Sequence, residues 1–250
     1  MSKHIVMLHG ANCGAWCFDP FRAVFEDSGW TCHAPDLIGH GTRANGPNEL
    51  IGVSMTDYEK ELLSYLDDFA EAPVVLGHSM GGALAQMLAA RGKAAALILL
   101  SPAPRAGILP ATDAEKQLAQ ALMAMGAFWT GLINPVFDLA SFYTLNCIPA
   151  ERRRDVFDRF GPESGRAFFE LFFWMFDIAR ATTVDVSAIE CPVLCVSGLE
   201  DRLISPLIAQ ATVAPLKRAE LWELAGHGHM LPMEPGAPDL ARRIAAWASA

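Results

Sequence analysis

The residue of this sequence best placed to do chemistry is Ser79, which stands in the run GHSMG at positions 77–81. An apolar segment, Val74–Leu76, precedes the run, and a segment of small residues, Ala83–Ala90, follows it. A serine with a glycine two residues away on either side, between a strand and a helix, is typical of a tight turn that exposes the hydroxyl. The amino end of the helix carries a partial positive charge, which favours negative charge near the serine hydroxyl. The spacing therefore predicts a nucleophilic serine at the carboxyl edge of a sheet.

A serine hydroxyl needs a histidine to take its proton and an acid to orient that histidine. In α/β folds such groups gather beyond the carboxyl ends of the strands. Two later predicted strands are each followed by a pair of suitable residues: Glu200 and Asp201 after the first, His227 and His229 after the second. The chain order is therefore serine, acid, histidine, with two candidates for each partner.

The elements that must position these residues follow the pattern of a mostly parallel α/β sheet, in which short apolar runs alternate with amphipathic segments. The predicted strands are His4–Leu8, Trp30–Ala34, Val74–Leu76, Ala95–Leu100, Pro192–Ser197 and Ala219–Leu224. The predicted helices are Asp19–Ser28, a helix capped by Thr56 or Asp57 that ends at Phe69, Ala83–Ala90, Pro206–Ala214 and Ala237–Ala248.

The alternation stops between residues 102 and 186, which we interpret as a helical cap inserted into a core made of residues 1–101 and 187–250. The predicted cap helices are Asp113–Met125, Asn134–Tyr143, Pro149–Phe160 and Ser164–Arg180. The run Phe168–Phe176 is apolar on nearly every side, so it can form cap core, or one of its faces can roof the crevice above Ser79. Trp174, Phe128 and Trp129 are the expected pocket residues.

Composition narrows the classes of partner. The 250 residues are 52% hydrophobic and carry a formal net charge of −9, which argues against nucleic acid and anionic membranes as partners. We see no signal peptide and no membrane span, and the six cysteines lack zinc-site spacing. We therefore expect a cytoplasmic monomer or homodimer without metal or organic cofactor.

Several motifs together resemble those of α/β-hydrolase-fold serine hydrolases of the esterase branch. They are HGA at 9–11, DLIGHG at 36–41, GHSMGG at 77–82, GLED at 198–201 and GHGHMLPMEP at 226–235. The opening HGANCGAW is similar to that of plant methylesterases and hydroxynitrile lyases. The lyases generally carry a hydroxyl residue directly after the first histidine, where this chain has Gly10.

The resemblance implies a role for each site residue. Ser79 is the nucleophile, and the backbone N–H groups of Ala11 and Met80 form the oxyanion hole. Family members place a glutamate five residues after the catalytic histidine, and Glu234 selects His229 over His227. The pattern GxxD selects Asp201 over Glu200.

The activity implied is hydrolysis of small or medium apolar carboxylic esters through an acyl-enzyme. The same residues also serve lactonases, thioesterases, amidases, carbon–carbon hydrolases and perhydrolases, and the fold includes hydroxynitrile lyases and ligand receptors. Since substrate choice depends on cap geometry, the sequence leaves these alternatives open.

Overall fold

A six-stranded parallel sheet runs through the computed structural model, which describes residues 3–44 and 46–250. The strands are β1 (His4–Leu8), β2 (Thr31–His33), β3 (Val74–His78), β4 (Ala96–Leu100), β5 (Leu132–Ile133), β6 (Glu163–Ser164), β7 (Val193–Gly198) and β8 (Ala219–Leu224). The sheet order is β2-β1-β3-β4-β7-β8, and the short β5 and β6 pair with each other within residues 102–186, the segment predicted as a cap and called the cap below. The predicted α/β-hydrolase architecture, a mostly parallel sheet flanked by helices, is confirmed.

Helices cover both faces of this sheet. They are α1 (Asp19–Asp27), α2 (Met55–Asp67), α3 (Met80–Ala90), α4 (Asp113–Ala124), α5 (Phe137–Tyr143), α6 (Ala150–Phe157), α7 (Gly165–Phe172), α8 (Pro206–Val213) and α9 (Ala237–Ala248). Helices α1 and α9 pack on one face, and α2, α3 and α8 on the other, which explains why the central strands are apolar on both sides. No helix of the described residues is long and apolar enough to cross a membrane.

The parallel register brings the chemistry-bearing segments to one edge. Leu8 pairs with Gly77, and Gly198 pairs with Leu224, so the residues that follow these strands leave the sheet at the same end. This is the edge at which ligands bind in α/β sheets.

Several helix boundaries differ from the prediction, and three of them concern α2, α5 and α7. The residue that caps helix α2 is Ser54, not Thr56 or Asp57. The Ser54 hydroxyl accepts from the Thr56 N–H, and the Asp57 carboxylate accepts from the Ser54 N–H. Helix α5 begins at Phe137, not Asn134, because Pro135 disfavours helical geometry in the residue before it. Helix α7 ends at Phe172, far short of Arg180.

The early end of α7 has a local cause. Asp177 folds the following chain into a turn in which its carboxylate accepts from the N–H groups of Ala179 and Ala181. An uninterrupted apolar run hides this break, since its composition changes little on either side. The β5–β6 ladder was not predicted either, because two-residue strands leave no periodic pattern.

Candidate active site

Ser79 sits at the turn between β3 and α3, in a conformation that only close packing can hold. Its φ of 53° and ψ of −118° lie outside the ordinary regions for a residue with a side chain. A Cβ at Gly77 would lie 2.1 Å from the Gly81 carbonyl oxygen, and one at Gly81 would lie 2.1 Å from the Leu8 oxygen. The two glycines therefore allow β1, β3 and α3 to meet tightly enough to form the turn.

His229 follows β8 and makes a hydrogen bond to Asp201, which follows β7. The His229 Nδ1 lies 2.9 Å from the Asp201 Oδ2, and both side chains are almost fully buried. The other carboxylate oxygen accepts from the N–H groups of Leu203 and Ile204, each at 2.9 Å, which fixes the acid in place. If Nδ1 donates to the carboxylate, the Nε2 of His229 is free to accept a proton.

His227 and Glu200, the other candidates for histidine and acid, lie in different surroundings. The His227 Nδ1 lies 2.9 Å from the Glu234 Oε2, and Glu234 also accepts from the Gly228 N–H. Glu200 is exposed to solvent. Glu234 thus braces the turn that leads to the other histidine, His229.

His78 links the serine turn to the histidine loop. Its Nε2 lies 2.9 Å from the backbone oxygen of His229, and the two rings are 5.0 Å apart. Burial, and secondarily the nearby His229, lowers the pKa of His78 to about 3, so its ring is neutral and donates through Nε2. Nothing in the sequence indicates this bond or its partner.

Two backbone N–H groups beside Ser79 have no acceptor among the described residues: those of Ala11 and Met80. Met80 is the first residue of α3, whose first N–H groups have no intrahelical partner. Both residues line the same cavity as Ser79 and His229. A negative oxygen near Ser79 would therefore meet donors that the protein leaves unpaired.

The loop that carries Ala11 is held by His9 and Asp36. The His9 Nδ1 lies 2.8 Å from the Gly10 oxygen, and its Nε2 accepts from the Leu37 N–H at 3.0 Å. Burial lowers the pKa of His9 to about 4, with the neighbouring His40 adding to the shift, which keeps the ring neutral for these two bonds. Asp36 accepts from the Ala15 N–H at 2.7 Å. Asp36 therefore helps to organise this loop.

A cavity of about 230 Å³ lies above Ser79, between the sheet edge and the cap. Its walls are mostly apolar and include residues of α4, α5 and α7. Met125, Val136 and Leu139 line it and are each more than half exposed, so they mark its mouth. Asn12 lines it as well, whereas His40 is buried beneath the cap against Glu163.

The three expected pocket residues do not line this cavity, and the helical period of α7 explains why. Phe168, Leu171 and Phe172 share the face of α7 that borders the cavity. Phe169 and Phe173 share another face, against which Phe128 and Trp129 pack. Trp174 lies beyond the end of the helix and donates to the Ile108 oxygen at 3.0 Å. The choice of Phe128, Trp129 and Trp174 was therefore wrong, although the roofing role of α7 agrees with the structure.

Comparison with known proteins defines the class. A family model described as "Alpha/beta hydrolase family" matches residues 5–243. The chain belongs to this family.

Individual relatives match over shorter stretches. A pyrethroid hydrolase of Sphingobium wenxiniae is 38% identical over 112 residues, which are 43% of this chain and 39% of that protein. Methylesterase 9 of Arabidopsis thaliana is 33% identical over 89 residues, which are 35% of this chain and 34% of that protein. The match thus spans about two fifths of the first relative and a third of the second.

Solved structures resemble the whole chain at low identity. A methylesterase, MES16, from Arabidopsis superposes with a TM-score of 0.73 at 18% identity, covering 98% of each chain. Tomato methylketone synthase I in complex with 2-tridecanone superposes with a TM-score of 0.77 at 17% identity, covering 100% of this chain and 98% of that one. At such identities the likeness establishes the fold.

Proposed function

We propose that this protein is a serine hydrolase that cleaves small or medium apolar carboxylic esters through an acyl-enzyme on Ser79. The observation that carries the proposal is the meeting, in one apolar cavity, of the strained Ser79 and a His229 bonded to buried Asp201. The names of the relatives, a pyrethroid hydrolase and methylesterases, support ester chemistry.

In the proposed reaction, the Nε2 of His229 takes the proton of Ser79 as its hydroxyl oxygen attacks the ester carbonyl carbon. Asp201 holds the ring in the required tautomer and stabilises the imidazolium. The N–H groups of Ala11 and Met80 bind the oxygen that becomes negative, and such a donor contributes about 3 kcal/mol to transition-state stabilisation. His229 then protonates the leaving alcohol, and a water activated by the same ring releases the acid.

The proposed substrate class rests on the size and charge of the cavity. None of the described residues that line it is Asp, Glu, Lys or Arg, so a charged substrate would lose its hydration without gaining an ionic partner. An apolar cavity of about 150 Å³ is enough for benzene, and this one holds about 230 Å³. An acyl group of one aromatic ring or a medium alkyl chain therefore suits the buried part, with the remainder at the mouth.

Crowding at Gly10 argues against lyase chemistry. A Cβ at this position would lie 2.9 Å from the Ser79 Cβ, so a hydroxyl residue could enter only if the serine turn shifted. We therefore expect no cyanide release from cyanohydrins.

Labelling with a fluorophosphonate probe tests the reactive serine. The wild-type protein should gain one phosphonyl group, located by peptide mass spectrometry on Ser79, and His229→Ala should label far more slowly. A panel of p-nitrophenyl esters, thioesters and lactones then tests the bond type. Tight binding of a small molecule with no labelling would contradict the proposal and favour a receptor.

A further inference from the structure

Asn12 occupies a special position in the loop beside Ser79. It directly follows Ala11, within a turn that is closed by a bond from the Cys13 N–H to the Gly10 oxygen at 3.3 Å. Asn12 is the third residue of this turn and has a φ of 61°. Turns of this kind require a left-handed residue there, a conformation that glycine and asparagine tolerate.

The same residue is bonded to the cap, residues 102–186, at two places. Its Nδ2 donates to the Gly161 oxygen at 2.8 Å and to the Ile133 oxygen at 3.2 Å. Its own backbone oxygen accepts from the Gly161 N–H at 2.9 Å. Three hydrogen bonds therefore join one loop residue to two separate cap segments.

These bonds also restrain Ala11, because Ala11 and Asn12 are adjacent residues of the same turn. The Ala11 N–H has no acceptor in the described chain, so nothing directed at that N–H fixes its orientation. The direction of the Ala11 N–H therefore depends on the contacts that the turn makes with the rest of the protein. His9 and Asp36 hold the turn from the core side, and Asn12 holds it from the cap side.

We propose that Asn12 is a positioning residue, which ties the turn to the cap and so aims the Ala11 N–H at the oxyanion. The inference rests on the proposed function, in which that N–H stabilises the tetrahedral intermediate. Oxyanion donors act only when they are held in place before the reaction, so a loosened turn weakens transition-state binding more than substrate binding.

The decisive variant is Asn12→Gly, because glycine accepts the positive φ. It removes the side-chain bonds to the cap together with the part of the cavity wall that the side chain forms. A second variant, Asn12→Asp, keeps the shape but turns an oxygen toward two carbonyl oxygens. The control is Ser164→Ala, which removes another bond between cap and core, from the Ser164 hydroxyl to the Val53 oxygen at 2.6 Å, together with the bond at 3.4 Å that this hydroxyl accepts from the Ala167 N–H at the start of α7.

The measurements are kcat and KM for p-nitrophenyl butyrate and the Ki of an alkyl trifluoromethyl ketone, whose hemiketal carries an oxyanion. Asn12→Gly should lower kcat by roughly 10- to 100-fold and raise Ki in parallel, with KM changed less than about threefold. Asn12→Asp should lower kcat and raise Ki by at least as much as Asn12→Gly. Ser164→Ala should leave kcat and Ki near the wild-type values. Because Ki reports only on folded molecules, partial unfolding of a variant cannot imitate the result.

Wild-type kcat and Ki in Asn12→Gly would overturn the inference while leaving the proposed function intact. An equal loss in Ser164→Ala would overturn it as well, since general loosening of the cap would then explain the effect. Absence of Ser79-dependent turnover in the wild-type protein would overturn the proposed function and, with it, this inference.

Discussion

His227 and His229 stand two residues apart, yet they have different partners. His229 is bonded to buried Asp201, whereas half-buried His227 is bonded to Glu234. From residue types alone either histidine could serve the serine, and the choice of His229 came from the family spacing to Glu234. That choice stays a proposal; in the structure Glu234 braces the loop through His227 and the Gly228 N–H.

The paired alanine variants test these roles. His227→Ala should keep kcat/KM for p-nitrophenyl butyrate within about tenfold of the wild-type value, because it removes a brace and not the base. His229→Ala should lower it by about four orders of magnitude or more, since no other group can take the serine proton. The reverse ranking in steady-state assays would show that the assignment is wrong.

The buried neutral histidines give stability a pH dependence. The folded-state pKa values of His9, about 4, and His78, about 3, lie below the ordinary value of 6.5, chiefly because of burial. Between pH 6.5 and 4 the unfolded chain therefore binds protons that the folded protein does not, and the free energy of unfolding should fall as the pH falls. Burial lowers the pKa of His40, but the neighbouring Glu163 outweighs this effect, so the pKa is raised. The stability that His40 contributes is therefore present below pH 6.5 and is lost as the pH rises above that value.

Urea unfolding at a series of pH values measures this dependence. The midpoint should decrease steadily from pH 6.5 to 4, with the steepness reduced in His9→Gln, which removes one of the two groups. A midpoint that stays constant over this range would contradict the neutral state of these rings.

At the scale of elements, α7 separates two apolar spaces. A pocket of about 20 Å³, lined partly by Ile108 and Ala119, lies beside the main cavity. Five residues line both spaces: Leu118, Leu122, Leu171, Phe172 and Leu203. Phe172 has the bulkiest side chain of the five, so it is the main partition between them.

Removing this partition should lengthen the acyl pocket. Phe172→Ala should raise kcat/KM for p-nitrophenyl decanoate relative to the butyrate by about tenfold, since each methylene newly accommodated favours binding. It should also cost about 3 kcal/mol of stability, so assays belong well below its unfolding temperature. Leu118→Ala offers a milder opening of the same wall.

Ala119→Leu is the control, because Ala119 lines the side pocket but not the main cavity. It should change nothing in the wild-type background and should reverse the chain-length shift in Phe172→Ala. If the double variant still prefers the longer ester, the side pocket does not hold the acyl chain.

The sequence predicts some elements much better than others, and the reason is periodicity. Strand β8 and helix α9 have the predicted bounds, because each combines a regular pattern with clear flanking residues. The cap lacks such signals: Phe168–Phe176 is apolar throughout, so neither the end of α7 nor its cavity face can be read from it. The pocket residues were therefore beyond reach, while Ser79, Asp201 and His229 follow strands and could be placed.

At the scale of the whole molecule, polar contacts join the cap to the core at several separate places. Glu163 in β6 is fully buried and accepts from the Tyr58 hydroxyl at 2.8 Å, with the His40 Nε2 at 2.9 Å. Glu170 accepts from the Met55 N–H, and Glu115 accepts from the Ser205 N–H, each at 2.7 Å. Since these bonds join the cap to the core at separate places, we expect substrate to enter by the mouth at Met125 and Leu139 without opening of the cap.

Three predictions at this scale remain predictions: the division into core and cap domains, the cytoplasmic location, and the monomeric or homodimeric state. The end of the strand–helix alternation motivated the first, and the lack of a recognisable signal peptide or membrane span in the sequence motivated the second. Sedimentation of the purified protein would decide the last.

The central claim is that Ser79 is the nucleophile of an ester hydrolase, and the hydrolysis of p-nitrophenyl butyrate by wild-type and Ser79→Ala proteins tests it most directly. The wild-type protein should turn over, and kcat in Ser79→Ala should fall by about four to six orders of magnitude, with unchanged circular dichroism and melting temperature. Turnover by the well-folded Ser79→Ala variant at the wild-type rate would contradict the account.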